Sequence, residues 1–199
     1  MHGEVTGEFI LEKDEYRKRL WSQLVETYSK VMYTYETQQQ AANIKTNWHN
    51  GISIVQIVLT AVSSAGLIGV AIGQTYVAAL VSSILAALSL GLNLYSKGAA
   101  LSEAAARHRA AADGLWPILQ DYISLLTDFE NMDLEEIQAA RRDLQSRTEK
   151  QYLNAPRTNK HAYELARKTL KNEEGQSFEK GECDRLLPVE LRNDNAQRA

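Results

Sequence analysis

A single cysteine, Cys183, excludes an intrachain disulfide, and none of His2, His49, His108 and His161 has a second histidine at metal-binding helical spacing. There is no phosphate-cradling glycine loop, no nucleophile elbow and no cysteine pair. No residue set therefore reads as an active site, and neither enzymatic activity nor a cofactor or metal is expected. The formal net charge of -3 leaves no basic surplus for a nucleic-acid partner. Proline is scarce as well, and from Phe9 to Asn47 neither proline nor glycine occurs. The most informative absence is charge: Thr46 to Ser96 holds no Asp, Glu, Lys or Arg.

What fills that stretch is two apolar runs, Ile52 to Ile72 and Tyr76 to Tyr95, meeting at Gly73-Gln74-Thr75. A bilayer core about 30 Å thick needs roughly 20 apolar helical residues to cross it, and each run supplies them. The whole-chain mean hydropathy is that of a soluble protein only because polarity is segregated. An ionised side chain at the bilayer centre costs about 2.5 to 3.5 kcal/mol, which accounts for the charge-free block between charged flanks. The alternative, a buried hairpin in a soluble bundle, fits poorly with a first span apolar on nearly all sides.

The expected organisation is all-α: a two-helix transmembrane hairpin continuous with an antiparallel cytoplasmic helical bundle. An N-terminal helix occupies 9–47, the hairpin 48–97, further helices 98–172 and a flexible polar tail 173–199. Trp21, Leu24, Tyr28, Val31 and Tyr35 form one stripe at steps of three and four. Leu101, Ala105, His108, Ala112, Leu115, Leu119, Tyr122, Leu126 and Phe129 form its counterpart after the second span, a coiled-coil-like seam. Gly114 and Pro117 predict a kink in that helix. Asp133 starts another helix, Pro156 closes it, and Thr158 to Lys171 forms a short one with Tyr163, Leu165 and Leu170 as its apolar residues. Leu186, Leu187 and Val189 mark a docking stretch in the tail.

Met1 to Lys45 is too polar for a signal peptide, so the hairpin is its own insertion signal. Lys45 lies before the first span, while Lys97, Arg107 and Arg109 follow the second; positive-inside reasoning puts both termini in the cytoplasm. Trp48 and Tyr95 anchor one interface and Tyr76 the other.

Small residues recur every four positions, at Ala65, Gly69 and Gly73 and at Ala79, Ser83, Ala87 and Gly91, giving strips for helix packing within the hairpin or with a neighbouring chain. Ser53, Gln56, Thr60, Ser63, Ser64, Ser82, Ser83, Ser89 and Asn93 are uncharged polar groups of the spans, and all but Ser53 are candidates to line an opening. They either line an opening or make only interhelical hydrogen bonds. Two helices cannot enclose water, so a pore needs several copies. His108, beside Arg107 and Arg109, is either a packed polar residue or a pH-sensitive gate.

The chain resembles the SMODS and SLOG-associating two-transmembrane effector (SLATT) family. The likeness runs from about Trp21 to Phe129 and more weakly to Leu170. It rests on the aromatic-rich helix (Trp21, Tyr28, Tyr35), the Trp48-His49-Asn50 lead, the small-residue stretch 61–66, and 106–109 followed by Leu115 to Leu126. The resemblance implies an oligomeric effector of a bacterial anti-phage or conflict system in the inner membrane. Such an effector is expected to permeabilise the membrane when triggered by a separate nucleotide-sensing or nucleotidyltransferase-type protein. A membrane-anchored scaffold or adaptor without pore activity is the alternative.

Overall fold

The computed structural model describes residues 2–71 and 76–172, with side chains described from Asp14 onward except at 67, 69–71 and 172. The chain is all-helical over these residues: α1 (His2–Ala71), α2 (Tyr76–Ala99), α3 (Leu101–Asp128), a single 3-10 turn (Phe129–Asn131), α4 (Leu134–Asn154) and α5 (Lys160–Asn172). Lacking proline, α1 runs its 70 residues without interruption, which at 1.5 Å per residue is about 105 Å. It passes straight through the boundary at 47/48 from the charged sequence into the apolar one. The segment from residue 173 onward, with Cys183 and the Leu186, Leu187 and Val189 stretch, lies outside the described residues, as do residues 72–75 with the expected connection at Gly73-Gln74-Thr75.

The two stripes meet. Leu20, Leu24 and Val31 of α1 pack with Leu115, Ile118, Leu119, Tyr122 and Leu125 of α3, Phe129, and Ile137 and Leu144 of α4 in one core. Along α3, Leu101, Ala105, His108, Ala112, Leu115, Leu119 and Tyr122 are all at most 8% exposed, as steps of four and three on one helix face require. Each large apolar side chain fully buried there contributes about 1.5 to 3 kcal/mol. Contacts climb α1 as they descend α3: Trp21 stacks edge-on against Phe129, Tyr35 lies against Trp116, and Gln38 bonds His108. Trp21 sits at the rim of the core rather than inside it, at 38% exposure.

The chain stays helical through Gly114 and Pro117. Pro117 is exposed, so water can take the carbonyl its missing amide frees. Gly114 has a packing reason of its own: a Cβ there would lie 2.6 Å from the Gln151 side chain of α4. The helical run is broken instead at Ala100, with φ 44° and ψ 42° between α2 and α3. A left-handed residue with a Cβ costs about 1 to 2 kcal/mol, a strain that glycine at the same place would avoid.

Asp133 and Glu136 form a reciprocal capping box at the start of α4, with the Asp133 amide donating to Glu136 Oε2 at 3.0 Å. Asn159 caps α5 by accepting from the Ala162 amide at 2.9 Å. The fully buried residues of α5 are Ala162 and Ala166, while Tyr163 is half exposed and stacks on Tyr33. Alanines there let α5 lie close on α1, with Tyr163 at the edge of the contact.

Candidate functional site in the apolar helix pair

Within Tyr76–Asn131 lies a helical stretch long and apolar enough, by length and composition, to cross a bilayer, and only 6% of its apolar window is buried. Ile54, Ile57 and Val62 of α1 and Leu80, Ile84 and Leu94 of α2 are exposed on the outside of the pair. A surface this continuously apolar is ill-suited to water. Trp48, Tyr76 and Tyr95 are exposed at its ends.

The α1–α2 seam is made by small and hydroxyl residues. Ser63 Oγ donates to the Ser82 carbonyl at 2.9 Å, and both serines are buried. Gly66 admits this approach, because a Cβ there would collide with Ser82 Oγ. Contacts pair Ser63 with Ser82 and Thr60 with Ser89, rising along α1 as they fall along α2. Ala65, Ser83, Ala87 and Gly91 are exposed and Ala79 is half-buried, so the seam within the chain runs through other residues than these strips. Ser83 bonds its own helix at Ala79, and Gly91 faces open space. Gly69 lies in α1 beyond the described side chains, and Gly73 lies outside the described residues.

Beside the seam is a groove of about 540 Å³ lined by Ser53, Gln56, Ile57, Thr60, Ala61, Ser89 and Asn93. Thr60 Oγ1 and Ser89 Oγ, 3.1 Å apart, share a hydrogen bond across its floor. Ser53 donates to the His49 carbonyl at 2.9 Å. Gln56 Nε2 is buried without a hydrogen-bond partner among the described residues. Four of the polar span residues, Gln56, Thr60, Ser89 and Asn93, thus converge on one groove; Ser63 and Ser82 are used in the seam, and Ser64 is exposed away from it. Ser53 was read in the sequence as a polar residue of the span but not as a lining one, although its spacing of three and seven from Gln56 and Thr60 places it on their face.

A second polar feature lies in the bundle. Gln38 is 3% exposed and His108 6% exposed. Gln38 Nε2 donates to the Pro156 carbonyl at 3.0 Å, which leaves Oε1 to accept from His108 Nδ1 at 2.6 Å. One amide therefore ties α1 to α3 and to the α4–α5 loop and fixes a proton on Nδ1. Burial, with Lys45 and Arg107 nearby, holds the His108 imidazole below its usual proton affinity. Next to it Gln40 Nε2 donates to Glu36 Oε1 at 2.8 Å and reaches Thr169 of α5 at 3.4 Å. No cluster of three or more His, Cys, Asp or Glu able to hold a metal occurs among the described residues.

No curated protein and no solved structure matches the chain. A family model does: that of SMODS and SLOG-associating 2TM effector domain family 4 matches residues 20–182. That span takes in the bundle, the buried Gln38–His108 pair and the grooved apolar helices, and the chain belongs to this family of two-transmembrane effector domains.

Proposed function

We propose that this effector domain acts in the bacterial inner membrane, where several copies assemble and open a pore when a nucleotide-sensing partner engages the cytoplasmic bundle. In this reading α1 and α2 cross the bilayer as an antiparallel hairpin. Lys45 and Lys97 at its open end keep both termini in the cytoplasm. The observation that supports it best is the uncharged polar groove of Ser53, Gln56, Thr60, Ser89 and Asn93 on an otherwise lipid-facing surface. Lipid tails cannot hydrogen-bond the exposed amide of Asn93, so the groove is better matched by water or polar groups of another copy. A ring of copies with grooves turned inward supplies both. The trigger acts as a population shift, binding the bundle more tightly in the open assembly than in the closed one.

The test is membrane-potential dye uptake in cells expressing the chain with its partner and a phage trigger. Depolarisation is expected, with loss of it on replacing Gln56 and Asn93 together by leucine. Depolarisation unchanged in that variant removes the groove from the mechanism.

The scaffold reading is favoured by the exposed Tyr152, Leu153 and Tyr163 at the junction of α4 and α5, a surface suited to a protein partner. It predicts that Gly69→Leu and Gly91→Leu are tolerated as long as the chain inserts.

A further inference from the structure

A second groove, of about 440 Å³, opens where the apolar pair meets the bundle, between Asn47, Trp48, Gly51, Ile52 and Val55 of α1 and Leu92 of α2. Its lining is almost wholly apolar, with Asn47 the one polar side chain. Gly51 creates the space: a Cβ at this position would meet nothing within 4 Å. Trp48 forms one wall and is 63% exposed, as a residue at headgroup depth would be.

The charge around this level is of one sign. From Thr37 to Ser102 there is no acidic residue, while Lys45 and Lys97 lie within that range. Lys45 precedes Trp48 by three residues, one turn along the same helix face. Lys97 sits in the last turn of α2, beyond Leu92. Neither lysine forms an ion pair among the described residues.

We infer that this groove is a binding site for an anionic phospholipid, one acyl chain lying against Trp48, Gly51 and Val55 and the phosphate facing Lys45 and Lys97. The apolar floor suits a hydrocarbon chain and would leave a charged or polar ligand unpaired. The two lysines select an anionic headgroup over a zwitterionic one, by about fivefold in affinity for each lysine near the membrane surface. A second copy of the chain is a poorer occupant, since its own Lys45 and Lys97 would add positive charge at the same depth. The inference rests on the membrane placement of the helix pair and is independent of pore opening.

Trp48 reports on the site directly. Trp21 and Trp116 lie in the bundle against Phe129 and Tyr35, so the quenching lost in Trp48→Phe belongs to Trp48. The full chain is placed in nanodiscs of phosphatidylcholine doped with brominated phosphatidylglycerol or, in parallel, brominated phosphatidylcholine at equal mole fraction. The expected result is saturable quenching of Trp48 at a lower mole fraction of the brominated phosphatidylglycerol. Gly51→Leu, whose Cβ meets nothing within 4 Å and whose branched end occupies the groove, abolishes that preference, and Lys97→Gln or Lys45→Gln each lowers it about fivefold. Equal quenching by the two lipids overturns the inference. So does a Trp48 shielded from both in a self-associated chain, which would give the groove to a second copy. A chain that enters neither nanodisc removes the membrane placement itself, a separate failure from loss of the lipid preference.

Discussion

Replacing Gln38 by alanine is the sharpest probe of the bundle. The side chain makes two hydrogen bonds from a site 3% exposed, to His108 Nδ1 at 2.6 Å and to the Pro156 carbonyl at 3.0 Å. Alanine leaves the His108 N–H buried without a partner, at a cost of about 1 to 3 kcal/mol, whereas Pro156 is half-buried and can turn to water. With the lost second bond and the cavity added, Gln38→Ala should destabilise the chain by about 2 to 4 kcal/mol. For a domain of this size that lowers the melting temperature by about 4 to 16 °C. Circular dichroism of the full chain in detergent measures it. The double variant Gln38→Leu with His108→Leu removes both partners and should recover at least about 1 kcal/mol relative to the sum of the single changes. A melting temperature unmoved by Gln38→Ala, or strictly additive effects in the cycle, would refute the buried pairing.

The seam and the outer face should respond oppositely to the same kind of change. Gly66→Ala forces Ser82 aside and should cost about 1 to 3 kcal/mol, read as a lower melting temperature. Gly91→Ala meets nothing and should leave melting unchanged; equal effects at both sites would contradict the seam. Ala100→Gly relieves the left-handed strain and, after the entropy glycine adds to the unfolded chain, should stabilise by about 1 kcal/mol, with a loss in stability counting against that geometry. The proton affinity of His108 is depressed in the packed bundle, so the unfolded chain binds the extra proton more readily. Stability is then fully present above the unfolded pKa near 6.5 and is lost as pH falls below it toward the folded value. His108→Gln, which preserves a donor for Gln38, should flatten that dependence; a melting curve equally pH-sensitive in the variant assigns it elsewhere. If the pH response of any conductance is also unchanged in His108→Gln, His108 is no gate.

Legibility in the sequence followed the strength of each period. The α3 stripe was readable from Leu101 to Tyr122, where seven positions stepping by four and three share one helix face, but past Tyr122 the structure buries Leu125 and leaves Leu126 only half-buried. The exposed apolar shell was readable from the missing charges alone. Contacts between elements distant in sequence were not. Gln38 looked like one of three consecutive glutamines, and only the approach of His108, 70 residues on, gives it a role. Arg17 carries no pattern in the sequence, yet its guanidinium donates to the Phe129 and Met132 carbonyls at 2.7 and 3.1 Å, closing the C-terminal end of α3. Ala162 and Ala166 carry so little apolar area that larger neighbours outweighed them, although close helix contact selects small residues. Ala100 gave no signal, since glycine is the usual mark of a left-handed joint and Gly98 stands two residues away.

The buried Gln38–His108 pair and the polar groove at Gln56 share one helix, α1. Gln38 and Gln56 are 18 residues apart on α1, which is five full turns, so both side chains leave the helix in the same direction, about 27 Å apart along its axis. Nothing interrupts α1 between them. The return path does have an interruption, at Ala100, between the α2 residues Ser89 and Asn93 and the α3 residue His108. A rotation of α1 that carries Gln38 away from His108 therefore carries Gln56 and Thr60 by the same angle relative to Ser89. The left-handed joint is the one place between α2 and α3 where the helical hydrogen-bond run is broken, so separate adjustment of the two would fall there. If the proposed trigger turns the bundle, an uninterrupted α1 on one side and a joint at Ala100 on the other would carry that change to the hydroxyl pair of Thr60 and Ser89 without melting either helix.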